Sequence, residues 1–189
     1  MLAYIVLLLA VFSRFIPHVF HTPAWNFTAV GGGLLFFGSR MNGAKRPAVM
    51  LLAALAVLIA TDYYLTVYAY GYPFRVSAYL VTWLWYADAC LIGMGLLQKI
   101  SVLRVAAGAL ATSTSFFLLS NFMVWAGSAV GAMYPRTLAG LAACYTAGLP
   151  FYRNDLASTA ITAGALFGLP VLAAKIAESL QTANNQPLA

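Results

Sequence analysis

Residues 47–65 read PAVMLLAALAVLIATDYYL, and this stretch decides the fold class. Lys45 and Arg46 precede it, and its first charged residue is Asp62 near the far end. A helix that crosses the hydrocarbon of a bilayer needs about 20 mostly apolar residues. Pro47 suits the first turn of such a helix, where its missing N–H costs nothing. The stretch therefore predicts a transmembrane helix.

The composition of the whole chain agrees with a lipid environment. Of the 189 residues, 63% are hydrophobic and only 7% are charged. Soluble domains carry roughly 25% charged residues because their surfaces face water. A disordered chain is excluded too, since it needs few apolar residues and many charges. We expect an all-α, polytopic transmembrane helical bundle.

The other apolar runs predict about six spans. Besides Pro47–Leu65 they are Leu2 to about Phe20, Phe27–Arg40, Val76–Leu97, Val105–Ala126 and Leu156–Ala174. Phe27–Arg40 is short and contains three consecutive glycines, so we expect it inside the bundle, where glycine lets backbones approach. Thr137–Tyr152 is also short, and the polar residues 153–155 are expected to break it. If it crosses, there are seven spans.

No linker or low-complexity stretch divides the chain. We predict a single transmembrane domain over residues 1–176 and a polar carboxyl-terminal tail over 177–189, in a multi-pass protein of the bacterial inner (plasma) membrane. The first apolar run is interpreted as a retained helix, since no basic residue precedes it and no A-x-A site ends it. An amino terminus in the cytoplasm puts six basic residues inside and four outside, which favours that orientation only slightly.

Several function classes lack their signatures. The net charge of +6 is spread singly or in pairs, so we expect no nucleic-acid partner. No P-loop, H-E-x-x-H motif or paired-cysteine motif occurs, and we expect no cofactor. The residues Gly127–Gly131 are not a G-x-S-x-G elbow, because the serine is displaced. Cys90 and Cys144 are predicted to be buried packing residues.

Polar and aromatic residues gather at the predicted outer end of the spans. We predict a ligand-binding bowl there, because aromatic rings supply apolar area and arginines fix anionic groups. The alternative is an interfacial belt of tyrosine and tryptophan with snorkelling arginines. A structural Arg14–Asp62 ion pair is a further possibility. The candidate ligand-binding residues are Arg14, His18, Asn26, Asp62, Asn121, Trp125, Arg136 and Arg153.

Three other features allow more than one interpretation. His18 and His21 would share a helix face and bind a metal, with Asp62 as a third ligand, but Pro17 and Pro23 flank them and we predict no metal. Asp88 lies within a span, where it carries a proton, binds a cation or, most simply, bonds to a neighbouring helix. The small residues 160, 164 and 168 predict a helix contact face, either inside the protein or toward a partner, and we favour the internal one.

Several motifs resemble an uncharacterised bacterial family of multi-span membrane proteins described as transport proteins. They are residues 14–18 (RFIPH), 26–28 (NFT), Asp62, 101–104 (SVLR), 121–122 (NF), 124–125 (VW), 134–141 (YPRTLAGL), 144–145 (CY) and 150–154 (PFYRN). More loosely, the size and layout resemble the S-components of energy-coupling-factor vitamin transporters. After Asn154 the chain departs from the family pattern, and Asp88 and Cys90 lie outside the motifs.

The resemblance implies transport of a small solute. Our main hypothesis is an S-component-like protein that captures a vitamin-like or anionic solute and is energised by a membrane partner or an ATPase module. Two alternatives stay open: an intramembrane enzyme that acts on a lipid through His18, His21 and Asp62, and a structural membrane protein without a ligand. The last predicts that the outer polar residues are paired with one another.

Overall fold

The computed structural model describes residues 1–21, 27–127 and 133–184, and every regular element in these ranges is helical. The α-helices are α1 (Leu2–Phe12), α2 (Ile16–Val19), α3 (Val30–Met41), α4 (Pro47–Tyr64), α5 (Val76–Leu96), α6 (Val102–Ala126) and α7 (Leu138–Asn184). A 3₁₀ turn, Ser13–Phe15, joins α1 to α2, so the first helical path continues to Val19 as predicted.

Within the described ranges, five helical stretches are long and apolar enough to cross a bilayer. They are Leu2–Val19, Pro47–Ala69, Val76–Leu96, Val102–Ala126 and Leu138–Gln181. In the most apolar part of each stretch, only 11% to 28% of the residues are buried inside the protein. Most of this surface therefore suits lipid. The prediction of an all-α membrane bundle is confirmed.

The short helix α3 lies at the centre of the bundle. Ten of its twelve residues are buried, and it packs against α1, α5 and α7. Glycines make this possible, because a Cβ on Gly33 would meet the side chain of Ala10 and one on Gly38 would meet the Cys90 carbonyl. The expectation of a short helix inside the bundle is therefore confirmed.

The last helix differs from its prediction. Residues 153–155 do not break the chain, because α7 is continuous from Leu138 to Asn184 and contains Pro150 and Pro170 within it. Arg153 is exposed while Asp155 is buried, so the helix places the two polar residues on different sides. Its 47 residues extend about 70 Å, more than twice the hydrocarbon thickness. It also runs on into the stretch predicted as a polar tail.

The segment after α4 is rich in tyrosine and begins as a helix. A π-helical turn, Leu65–Ala69, continues α4 directly. The chain then reverses at Gly71, whose φ of +70° suits glycine. The Tyr72 N–H donates to the Thr66 carbonyl over 2.8 Å and holds this reversal against the helix end.

The glycines 164 and 168 of α7 do not form an internal contact. A Cβ on Gly164 or Gly168 would meet nothing within 4 Å. Both glycines instead line an open apolar groove of about 730 Å³ between the first half of α6 and the second half of α7. The predicted internal contact face is therefore wrong at these positions.

Candidate functional site

The best-connected polar site joins the ends of α1, α4 and α5. Arg14, in the 3₁₀ turn after α1, forms an ion pair with Asp62 in the last turns of α4. The Arg14 Nη1 also donates to the Thr61 hydroxyl over 2.8 Å. The ion pair proposed from the sequence is confirmed, across 48 positions of the chain.

Asp62 is buried and its carboxylate accepts from three side chains. It is 1% exposed. Besides Arg14, the Trp83 indole N–H donates to Oδ2 over 3.0 Å and the Tyr86 hydroxyl donates to Oδ1 over 3.2 Å. A carboxylate in a membrane span is costly unless such donors compensate its charge. Trp83 and Tyr86 were not predicted as site residues, although their spacing of three places them on one side of α5.

The π-helical turn that follows Asp62 adds a second layer to this site. Thr66 donates to the Asp62 carbonyl over 2.6 Å, and its hydroxyl lies 2.5 Å from that of Tyr79. The rings of Phe74, Tyr79 and Trp83 stack on one another with interplanar angles of 14° to 28°. π-helical turns often occur at functional sites. This one directly follows the helix that carries Asp62, so it supports a functional site at this position.

The histidines lie nearby without forming a metal site. The His18 ring meets Tyr70 edge-on, with centroids 5.5 Å apart, and His21 is exposed with a φ of +49°. Among residues 1–21, 27–127 and 133–184, no three His, Cys, Asp or Glu residues are grouped to hold a metal ion. The combination of both histidines with Asp62 is therefore not found, and Asn26 lies outside the described residues.

A second polar group lies between α6 and α7. The Asn121 amide donates to the Phe117 carbonyl over 2.8 Å, and Trp125 donates to the carbonyls of Pro135 and Thr137 over 3.0 and 3.2 Å. The thiol of Cys144 donates to the Asn121 carbonyl over 3.4 Å. Arg136 is exposed just before α7 begins.

Four of the predicted site residues thus fall into two groups, with Arg14 and Asp62 in one and Asn121 and Trp125 in the other. The side-chain hydrogen bonds of Arg14 and Asp62 given above join the 3₁₀ turn after α1 to α4 and α5. Those of Asn121 and Trp125 stay within α6, α7 and the segment between them. Arg153 lies on α7 about 23 Å beyond Leu138, well away from the helix end. A ligand role for these residues stays a prediction.

Deeper in the bundle, polar atoms lack partners. The buried atoms without a hydrogen bond to any described residue are Asp88 Oδ2, Thr112 Oγ1, Ser113 Oγ, Asp155 Oδ2 and Thr159 Oγ1. All five come from α5, α6 or α7. Cys90 and Cys144 are free and buried, as predicted.

Comparison with known proteins places the chain in a family but not in a function class. A family model described as "Family of unknown function (DUF6580)" matches residues 1–181. The chain belongs to this family. Neither the curated proteins nor the solved structures contain a match. Since the function of this family is unknown, the resemblance to transport proteins supports only a proposal.

Proposed function

We propose that this membrane protein is a transport protein that binds a small anionic solute at the Arg14–Asp62 end of its bundle. The observation that carries the proposal is the state of the Arg14 guanidinium. Its side chain is 16% exposed, while the carboxylate that orients it is almost completely buried. A positive group is thus held in a fixed orientation on a side chain that stays partly accessible.

The guanidinium has donors to spare. It has five N–H groups, and its bonds to Thr61 and Asp62 account for two of them among the described residues. The remaining N–H groups suit a carboxylate or a phosphate, which arginine binds through two parallel hydrogen bonds. Asp62 and Thr61 would then position Arg14 rather than contact the solute.

The aromatic residues beside the pair suggest the rest of the solute. Phe15 packs against Tyr64, and Tyr64 packs against Tyr68, with centroids 5.9 and 5.4 Å apart. Tyr64 and Tyr68 are exposed. Exposed aromatic surface next to a cation favours an amphipathic anion with a flat apolar part, which fits a vitamin-like compound.

Transport also needs a source of energy. The sequence contains no P-loop, so we propose that an ion gradient or a separate ATPase partner drives the movement. We place the protein in the bacterial inner membrane, consistent with its apolar helices.

The test is a ligand screen on the purified chain in detergent. Small carboxylated and phosphorylated compounds should include at least one that raises the apparent Tm, because a ligand that binds only the folded state stabilises it. Arg14→Lys should raise the ligand concentration needed for half of the Tm rise at least tenfold, since lysine keeps the charge but loses the planar pair of donors. Arg75→Gln is the matched control, because Arg75 is exposed at the start of α5. Equal weakening by both variants would contradict the proposal.

A structural role is the second candidate, and one observation favours it. The Asp62 carboxylate already accepts from Arg14, Trp83 and Tyr86, so the network joins three segments without needing a ligand. This candidate predicts that no compound raises the Tm, while Arg14 and Asp62 variants still lower it.

A further inference from the structure

A small polar cavity lies between α6 and α7, apart from the Arg14–Asp62 site. Its volume is about 20 Å³, which is enough for one water molecule or one small ion. Five oxygen-bearing side chains line it: Ser113, Ser120, Asn121, Tyr152 and Asp155. The other lining residues are Phe116, Phe117, Gly148 and Phe151.

Two of the lining side chains are buried and have an unused oxygen. Ser113 is 0% exposed and Asp155 is 6% exposed. Neither Ser113 Oγ nor Asp155 Oδ2 has a hydrogen-bond partner in the described parts of the chain. An unpartnered buried carboxylate oxygen is costly, and more so inside a membrane span, unless something in the cavity compensates it.

The remaining oxygens around the cavity keep accepting capacity. The Ser120 hydroxyl donates to the Phe116 carbonyl over 2.6 Å, and the Asn121 amide nitrogen donates to Phe117. The Tyr152 hydroxyl lies 3.0 Å from that of Thr114. A hydroxyl oxygen can accept a bond while its O–H donates, and the amide oxygen of Asn121 can accept while the amide nitrogen donates. The lining therefore offers one negative charge and several neutral oxygens.

The backbone is shaped so that Asn121 can reach α7. A Cβ added to Gly148 would lie 2.5 Å from Asn121 Oδ1 and 2.8 Å from Nδ2. Only glycine therefore leaves room for the amide against this helix. The amide oxygen of Asn121 therefore lies against α7, the helix that also carries Asp155.

From this arrangement we infer that the cavity binds a monovalent cation of the size of Na⁺, with Asp155 and Ser113 as its principal ligands. Hard cations prefer carboxylate, carbonyl and hydroxyl oxygens. A single carboxylate suits one positive charge, whereas divalent ions are usually held by more acidic ligands. The inference does not depend on the proposed solute.

The test measures the apparent Tm of the full purified chain in detergent. NaCl replaces choline chloride at constant ionic strength, without any organic solute. Saturating Na⁺ should raise the Tm by about 5 °C. Asp155→Asn should abolish this rise, and Ser113→Ala should shift it to at least several-fold higher Na⁺.

Asp88→Asn is the matched control. Asp88 is another aspartate in a span with an unpartnered Oδ2, but it does not line the cavity. This variant should keep the full response to Na⁺. Equal stability in NaCl and choline chloride, or a Na⁺ response that survives Asp155→Asn, would overturn the inference. Because no solute is present, neither result bears on the function proposed for Arg14.

Discussion

Arg14 and Asp62 form an ion pair that ties the 3₁₀ turn after α1 to the end of α4. Asp62 is the most buried charged residue at this end of the bundle, and α5 supplies two further donors to it. One carboxylate therefore fixes the relative positions of three segments. The consequence is that stability and any ligand binding at Arg14 are linked through the same group.

Removing the charge of Asp62 should destabilise the protein strongly. Asp62→Asn leaves the Arg14 guanidinium without its counter-charge, and breaking a largely buried pair costs about 3 kcal/mol. We expect a clear fall of the Tm in detergent. The double variant Arg14→Gln with Asp62→Asn should recover part of the loss, because no unpaired charge is left. Additive losses in the double variant would show that the two residues are not coupled.

Trp83 should contribute to the same site through its indole N–H. Trp83→Phe keeps an aromatic ring against Phe74 and Tyr79 but removes the donor to Asp62 Oδ2. A hydrogen bond to a charged group is worth about 1.5 kcal/mol, so the Tm should fall by less than in Asp62→Asn. Trp125→Phe is the comparison, since the bonds that Trp125 donates to described residues go to neutral carbonyls at the surface. A larger loss for Trp125→Phe would contradict the importance assigned to Asp62.

The pattern of apolar runs was sufficient to predict the helical class and most helix bounds. Pro47 and Val76 begin α4 and α5 as expected, because a long uncharged run has few alternatives in lipid. The sequence also offered the Arg14–Asp62 ion pair as one of its possibilities, since an aspartate in a span needs a partner. Burial and pairing therefore followed from the cost of charge in a membrane.

Features that depend on tertiary contacts could not be predicted in this way. The polar residues 153–155 looked like a break, but a helix tolerates them when Asp155 faces α6 and Arg153 faces outward. The donors Trp83 and Tyr86 carry no local signal that they meet Asp62, 21 and 24 positions earlier. The small residues 164 and 168 of α7 allow another helix to approach closely, but they do not determine whether one lies there.

The contact between α3 and α5 gives a sharp test of the packing. A Cβ on Gly38 would meet backbone atoms of Cys90, so Gly38→Ala must push the helices apart. Overpacking of this kind typically costs 1–3 kcal/mol, and we expect a lower Tm and a lower yield of folded protein. Gly95→Ala is the control in α5, because its Cβ would meet nothing within 4 Å. An equal effect of the two substitutions would contradict the close approach.

The groove along α7 predicts the opposite response to the same substitution. Gly164 lines the open groove, and a Cβ there would have no neighbour within 4 Å. Alanine is a better helix former than glycine by up to about 1 kcal/mol, so Gly164→Ala should keep or raise the Tm. Gly32→Ala in α3 should lower the Tm, because a Cβ there would lie 2.8 Å from the backbone nitrogen of Ala163, which is on the buried side of α7. Thermal unfolding of both variants in one detergent distinguishes the two faces of α7. A Tm loss for Gly164→Ala as large as that for Gly32→Ala would mean that a helix packs in the groove.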